Sequence, residues 1–343
     1  MKNKLFIPFL FCILLINGCT DKKTDTISTS YFPGQITLCE ERMQTNEALN
    51  IRSLAIQDSF LIINNSRKDS LFMIYNLHTR NLVKSWGMRG RGPKEYGLFT
   101  HLVKVSSEKF QVADFSRYKI ETYEIPGLNL ISRSNVLKNC QSNDKREIPQ
   151  SIVTSDGHRY FYDNLFGNKL SLKKWDLGNN PITINNFNHS ATLFGSTKFS
   201  IGSLAINPKA DKIVYAYQFK RRFEIINSHG RIVKTFEVNP GSSSSSLYEK
   251  HVDRKRLNMC YIAAKTFKDS FFLLYIGHSP KEIESNDFLI PCYIEEYDWN
   301  GKPLNLYKIN RYISDFDIYE NSKKLKSFIG VDITNEHPLL LLN

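Results

Sequence analysis

The sequence predicts an all-β fold of six repeated sheets arranged in a ring, on three observations. A short apolar motif returns at a nearly constant interval. Ser53-Leu54-Ala55-Ile56 recurs as Ser203-Leu204-Ala205-Ile206, and related starts fall at Leu102, Ile152, Ile262 and Phe316. From Leu54 onward the spacings are 48, 50, 52, 58 and 54 residues, a period that marks stacked supersecondary units. Each unit then reads as four short strands punctuated by turn residues. Finally, the sixth unit stops one strand short, whereas a spare strand, 35–43 (QITLCEERM), precedes the first unit.

Four-strand units repeated radially make a β-propeller. Placing the spare N-terminal strand as the missing outer strand of the last unit closes the ring and covers two edges at once. The expectation is therefore a six-bladed β-propeller over residues 35–343, its last blade closed by the N-terminal strand. Composition agrees: aromatic residues make up 13% of the chain, with 17 Tyr and 23 Phe, and no long helical periodicity appears. A β-sandwich pair and an open solenoid are the alternatives. Neither accounts for a terminal unit short by one strand together with a spare strand at the other end.

The elements follow in chain order. Residues 1–18 read as a lipoprotein signal: Lys2 and Lys4, a 12-residue apolar run over 5–16, then Asn17-Gly18 before Cys19, which supplies the thiol for lipid attachment. The run is too short for a membrane span, which needs about 20 residues. Residues 19–34, polar and rich in Thr and Ser, read as a flexible tether. In the first unit, strands are expected at 54–56, 60–63, 71–75 and 82–86. In the fourth they fall at 204–206, 212–217, 223–226 and 232–238. In five units the third strand ends alike, in Tyr75-Asn76, Tyr123-Glu124, Trp175-Asp176, Ile226-Asn227 and Tyr297-Asp298. The first residue of each pair packs between sheets and its polar neighbour opens a turn. Residues 339–342, four leucines, read as a buried strand.

Formal net charge is +12, or +10 once Lys2 and Lys4 leave with the signal. Such a surface suits anionic lipid headgroups, acidic glycans or nucleic acid, and export removes most opportunity for nucleic acid. Of six cysteines, Cys39, Cys140, Cys260 and Cys292 remain besides Cys12 and Cys19. Four allow three disulfide pairings; with no C-x-x-C present, buried free thiols are the expectation.

The motif Gly87-x-x-Gly90-x-Gly92-Pro93-x-Glu95-Tyr96, the stretch from Ser203-Leu204-Ala205-Ile206-Asn207-Pro208 to Ile213-Val214-Tyr215-Ala216, and the lipoprotein start together resemble the TolB-like six-bladed propeller lipoproteins of Gram-negative anaerobes. Lys94 stands where such motifs often carry Gly. The resemblance spans residues 35–343 and implies the fold and an envelope location. It carries no catalytic residues across.

Loops from outer to next inner strand, and between second and third strands, converge on one face of a propeller, and the longer insertions fall there. Three clusters on that face are candidate ligand sites. Arg89 and Arg91 lie among glycines that permit close backbone approach, and their guanidinium groups suit a carboxylate, phosphate or acidic sugar. The competing reading is a rigid linking loop in which Glu95 pairs one arginine. Asp114, Arg117 and Tyr118 form a second group, against the reading of a turn-capping Asp beside a solvated Arg. Arg221 and Arg222, after Lys220, form a third, against a solvated hairpin tip. No H-E-x-x-H, H-x-H or G-x-S-x-G occurs, so no catalytic residue, metal ligand or cofactor is nominated.

The functional expectation is an outer-membrane lipoprotein, periplasmic or surface-facing, whose propeller acts as a non-enzymatic binding or scaffold module for an envelope protein or an acidic glycan or peptide. The alternative is a metal-assisted hydrolase or lyase on carbohydrates or lactones, to which Asp114 and Asp163 would contribute.

Overall fold

Alternating apolar positions bounded by Asn, Asp and Gly turns place strands along nearly the whole described chain of this computed structural model. It describes residues 24–27, 31–45, 49–66, 70–97, 100–105, 108–114, 116–117, 119–125, 127–134, 151–155, 158–165, 169–176, 182–186, 202–209, 211–239 and 254–343. Three short strands come first: β1 (Thr24–Ile27), β2 (Gly34–Thr37) and β3 (Glu40–Arg42). They do not form a sheet of their own.

The remaining strands build six sheets in chain order. The first holds β4 (Ile51–Gln57), β5 (Phe60–Asn65), β6 (Phe72–Asn76) and β7 (Leu82–Trp86). The second holds β8 (Thr100–Lys104), β9 (Lys109–Asp114), β10 (Lys119–Glu124) and β11 (Asn129–Ser134). The third holds β12 (Ser151–Ser155), β13 (His158–Leu165), β14 (Lys169–Asp176) and β15 (Ile182–Asn186). In the fourth are β16 (Gly202–Ile206), β17 (Lys212–Tyr217), β18 (Arg222–Asn227) and β19 (Ile232–Val238), with β1 added parallel to β19. The fifth has β20 (Met259–Phe267), β21 (Ser270–His278), β22 (Cys292–Asp298) and β23 (Pro303–Ile309), with β2 parallel to β23. In the sixth are β24 (Phe316–Glu320), β25 (Lys326–Val331) and β26 (Leu339–Leu342), and β3 runs antiparallel to β26 with Leu340 opposite Arg42. The fold is an all-β propeller, and the inner strands neighbour one another in the cyclic order β4, β8, β12, β16, β20, β24 and back to β4.

The N-terminal stretch departs from expectation twice. A flexible tether through Gly34 is corrected, because Thr24–Ile27 pairs with Thr235 to Val238 on the rim of the fourth sheet. The single spare strand over 35–43 is in fact two, one on the fifth sheet and one on the sixth, joined where Leu38 N–H bonds the Lys308 carbonyl and Cys39 the Asn343 carbonyl. One edge strand cannot serve both sheets, so the chain steps between them. A third correction concerns thiols: Cys260 and Cys292 are buried and free as expected, but Cys39 is exposed. Cys19, Cys140 and Tyr118 lie outside the described residues.

Aromatic wedges fill the space between sheets. Phe72, Trp86, Tyr96, Phe110 and Tyr123 pack between the first two, with Phe110 and Tyr123 stacked at 5.4 Å. Phe223, Phe271 and Tyr297 do the same between the fourth and fifth. Each such ring brings about 1.5–3 kcal/mol of burial. The polar turn openers also act as predicted. Asn76 Oδ1 accepts the His78 and Thr79 N–H groups, Asn227 Oδ1 those of His229 and Arg231, and Asp298 Oδ1 those of Asn300 and Lys302. Gly230 and Gly301 occupy the same place in two of these turns at φ +82° and +85°, a conformation that disfavours side chains.

Candidate functional site

The first residues of the inner strands leave their side chains around an axial cavity of about 830 Å³, lined by β4, β8, β16, β20 and the start of β24. Two layers of polar groups divide it. In the deeper layer, Lys104 Nζ lies 2.5 Å from the fully buried Asp317 carboxylate, which also accepts the Ile56 N–H at 2.6 Å. Lys265 Nζ lies 3.0 Å from Asp315, whose other oxygen accepts the Leu54 N–H at 3.2 Å. Burial pulls the Lys104 ammonium below its ordinary range, more than Asp317 restores. Burial acts on Lys265 too, but Asp315 and Asp317 outweigh it and hold that ammonium charged. These pairs tie the sixth sheet to the first, second and fifth.

Nearer the strand starts, the lining changes to Arg52, Ser53, His101 and Ser203. Ser203 Oγ donates to the Ile262 carbonyl at 3.1 Å and Arg52 Nε to Ser66 Oγ at 2.9 Å. Ser53 Oγ is buried and has no hydrogen-bond partner among the described residues. Burial, and then the Arg52 guanidinium, push the His101 imidazolium down to about 4. A guanidinium, a neutral imidazole and an orphaned hydroxyl make this end receptive to an anion. Sequence reading missed these residues; Arg52 and His101 each hold the second position of an inner strand, which was the available signal.

The nominated residues sit elsewhere. Asp114 is fully buried and accepts the Gly97 N–H at 2.8 Å and the Arg117 N–H at 3.2 Å. Burial raises its carboxyl above the usual range. Arg117 donates both terminal nitrogens to the Gly90 and Gly92 carbonyls. Together they staple the glycine loop shut. This corrects the solvated reading of Arg117 and uses up its donors internally. Glu95 does not pair an arginine among the described residues; its carboxylate caps the Gly92 N–H instead. Arg89 bridges Tyr96 through the backbone, and Arg91 stays exposed with no ion pair among the described residues.

The expectation of a solvated tip at Arg221 and Arg222 is likewise corrected. Arg221 is 9% exposed, bonds Glu295 at 2.5 Å and lies 3.8 Å over the Tyr275 ring. Arg222 pairs Glu224 at 2.7 Å and Glu237 at 3.6 Å. Arg221 ties the fourth sheet to the fifth, and Arg222 ties β18 to β19 within the fourth. Glu295 also accepts the Tyr261 and Tyr297 hydroxyls at 2.9 and 2.7 Å. A matching cluster occurs in the second sheet. There Glu121 accepts the hydroxyls of Tyr96 and Tyr123, Arg133 Nε at 2.6 Å and Lys119 Nζ at 3.4 Å. The shared Glu-x-Tyr spacing, Glu121-Thr122-Tyr123 and Glu295-Glu296-Tyr297, was the signal for both.

The TolB-like 6-blade propeller-like family model matches residues 51–321. The chain belongs to this family. Among curated proteins none matches it. Solved structures share the fold at low identity. A member of the DUF4221 family from Bacteroides vulgatus is 11% identical, with 89% of this chain and 96% of that one covered at a TM-score of 0.51. A Bacteroides fragilis protein named as exported is 12% identical, covering 93% and 99% at 0.52. The calcium-binding protein regucalcin from Agrobacterium tumefaciens is 10% identical, covering 90% and 94% at 0.51. At these identities the likeness is one of fold. In this TolB-like chain Arg117, Arg221 and Arg222 brace the scaffold, whereas Arg91 is exposed and Arg52 lines the axial mouth.

Proposed function

We propose that this TolB-like chain is a lipoprotein of the cell envelope, anchored through Cys19. Its six sheets are the blades of one ring closed by β3, and the ring serves as a binding or scaffold module for an acidic glycan or peptide. The single observation behind this reading is the axial mouth, where Arg52 and His101 flank the orphaned Ser53 hydroxyl above a layer of internally neutralised charge. An incoming carboxylate would meet donors at the mouth and no unpaired carboxylate among the described residues of the deeper layer. The signal-like start and the exported Bacteroides fragilis fold relative support the envelope location.

Calorimetric titration with oligogalacturonate and with a poly-glutamate peptide tests the reading. Binding of either, lost in Arg52→Ala and retained in Arg91→Ala, is the expected result. Equal binding by wild type and Arg52→Ala would remove the mouth as the site. The metal-assisted hydrolase reading has one observation in its favour, the Asp315 and Asp317 pair on the axis. Their oxygens already serve Lys104, Lys265 and two backbone N–H groups, so a cation would have to displace two ammonium groups. A rise in melting temperature with added calcium would favour it.

A further inference from the structure

The N-terminal strap ends at an unusual place. Thr24, the first residue of β1, stands opposite Thr235 on the rim of the fourth sheet, one residue from Lys234. Lys234 Nζ reaches the Asn300 carbonyl at 3.5 Å, and Lys212 Nζ reaches Asn300 Oδ1 at 3.0 Å. Lys302 is exposed two positions along the same turn, and Arg231 is exposed at the neighbouring one. None of Lys212, Lys234 and Lys302 has a carboxylate within ion-pair distance among the described residues. Val233, between Arg231 and Lys234, is 56% exposed. In the sequence, Lys22 and Lys23 directly precede Thr24.

We propose that this corner, where the turns of the fourth and fifth sheets meet, faces an anionic phospholipid surface and fixes how the propeller sits on its membrane. The inference rests on the lipid-anchored reading of Cys19. Five residue steps separate Cys19 from Thr24, and an extended chain spans at most about 3.5 Å per step, so the lipidated sulfur lies within about 17 Å of β1. That reach is an upper bound of about two Debye lengths at physiological salt, near 8 Å each, and any slack in the tether brings the lysines at the exit point closer to the headgroup phosphates. A tether of this length cannot present the opposite rim, near β7 and β11, to the same bilayer. The glycine loop and the axial mouth lie at the start of the inner strands, and the Asn300 turn lies at the other face. The mouth therefore points away from the lipid.

The test uses the full lipidated chain in vesicles of phosphatidylethanolamine and phosphatidylglycerol that carry a headgroup nitroxide. A fluorophore is placed by Val233→Cys or, separately, Arg91→Cys, in a Cys39→Ser, Cys140→Ser background. The expected result is loss of most emission at position 233 and little at 91. Quenching at 233 should fall when phosphatidylcholine replaces the anionic lipid and in Lys212→Gln/Lys234→Gln, with the protein still floating with the vesicles. Stronger quenching at 91 than at 233, or quenching at 233 indifferent to lipid charge, overturns the inference alone. A wild-type chain that stays out of the floating fraction overturns the anchored reading as well.

Discussion

Arg221→Met should be among the most damaging single substitutions in the molecule, and the structure sets its size. The guanidinium is 9% exposed, bonds the fully buried Glu295 at 2.5 Å and covers the Tyr275 ring. Burial works against its charge, but Glu295, Tyr261 and Tyr275 outweigh that and hold it firmly protonated. Methionine keeps the apolar bulk over Tyr275 and strands a carboxylate in the interior, a change that costs about 3–5 kcal/mol. With an unfolding entropy of about 2.1 cal/mol/K per residue, a chain of 343 residues loses about 4–7 °C of apparent melting temperature. Adding Glu295→Gln removes the stranded charge yet leaves an amide oxygen for the Tyr261 and Tyr297 hydroxyls, so the double variant should recover most of the loss. Thermal and urea unfolding of the two singles and the double give the coupling energy, expected at about 2–3 kcal/mol. A loss below about 1 kcal/mol for Arg221→Met, or a double variant as unstable as the sum of the singles, would refute the claim that this pair is a buried, mutually dependent unit.

Two further outcomes are expected. Stability should be level above pH 6.5 and decline as pH falls through the folded His101 value of about 4, because the unfolded imidazole takes up its proton first. A second, steeper loss should follow below the ordinary carboxylate values. Burial opposes ionisation of Glu121 and Asp332, yet the Tyr96 hydroxyl and Lys119, and Thr334 and Arg42, hold their carboxyls down. Urea midpoints against pH for wild type and His101→Gln check this, and the variant should lose only the upper limb. Gly230→Ala should destabilise by more than the ordinary cost of about 1 kcal/mol for a strained turn, since φ is +82° and the new methyl would lie 1.9 Å from the Ile184 carbonyl oxygen. Gly301→Ala, which meets only the edge of the Phe236 ring, should cost less, and equal losses in chemical denaturation would contradict the packing argument.

Most of the architecture was legible because repetition constrains it. Each inner strand must pack against two neighbouring sheets, so Leu54-Ala55-Ile56 and Leu204-Ala205-Ile206 show the same buried pattern. The turn openers Asn76, Asn227 and Asp298 were legible for a local reason: a side-chain acceptor two residues ahead of its donor needs no distant partner. The N-terminal strands were harder. Gly34–Thr37 buries almost nothing, so it carries no alternation that would separate it from β3. The site was least legible. Arg117 bonds backbone carbonyls, which leave no side-chain signature, and Arg221 meets a glutamate 74 positions away. Charge in a loop says that a cation is present; only the fold says whether solvent or an interior carboxylate receives it.

The placement of β1, β2 and β3 has a consequence for how the chain acquires its shape. These strands are synthesised ahead of every sheet, yet their partners are Thr235 to Val238, Asn305 to Lys308 and Leu340 to Leu342. Docking them requires closing loops of roughly two to three hundred residues, a slow event that no early local contact can replace. Until Leu340 to Leu342 have been synthesised β3 has no partner strand, so the sixth sheet completes only late in synthesis.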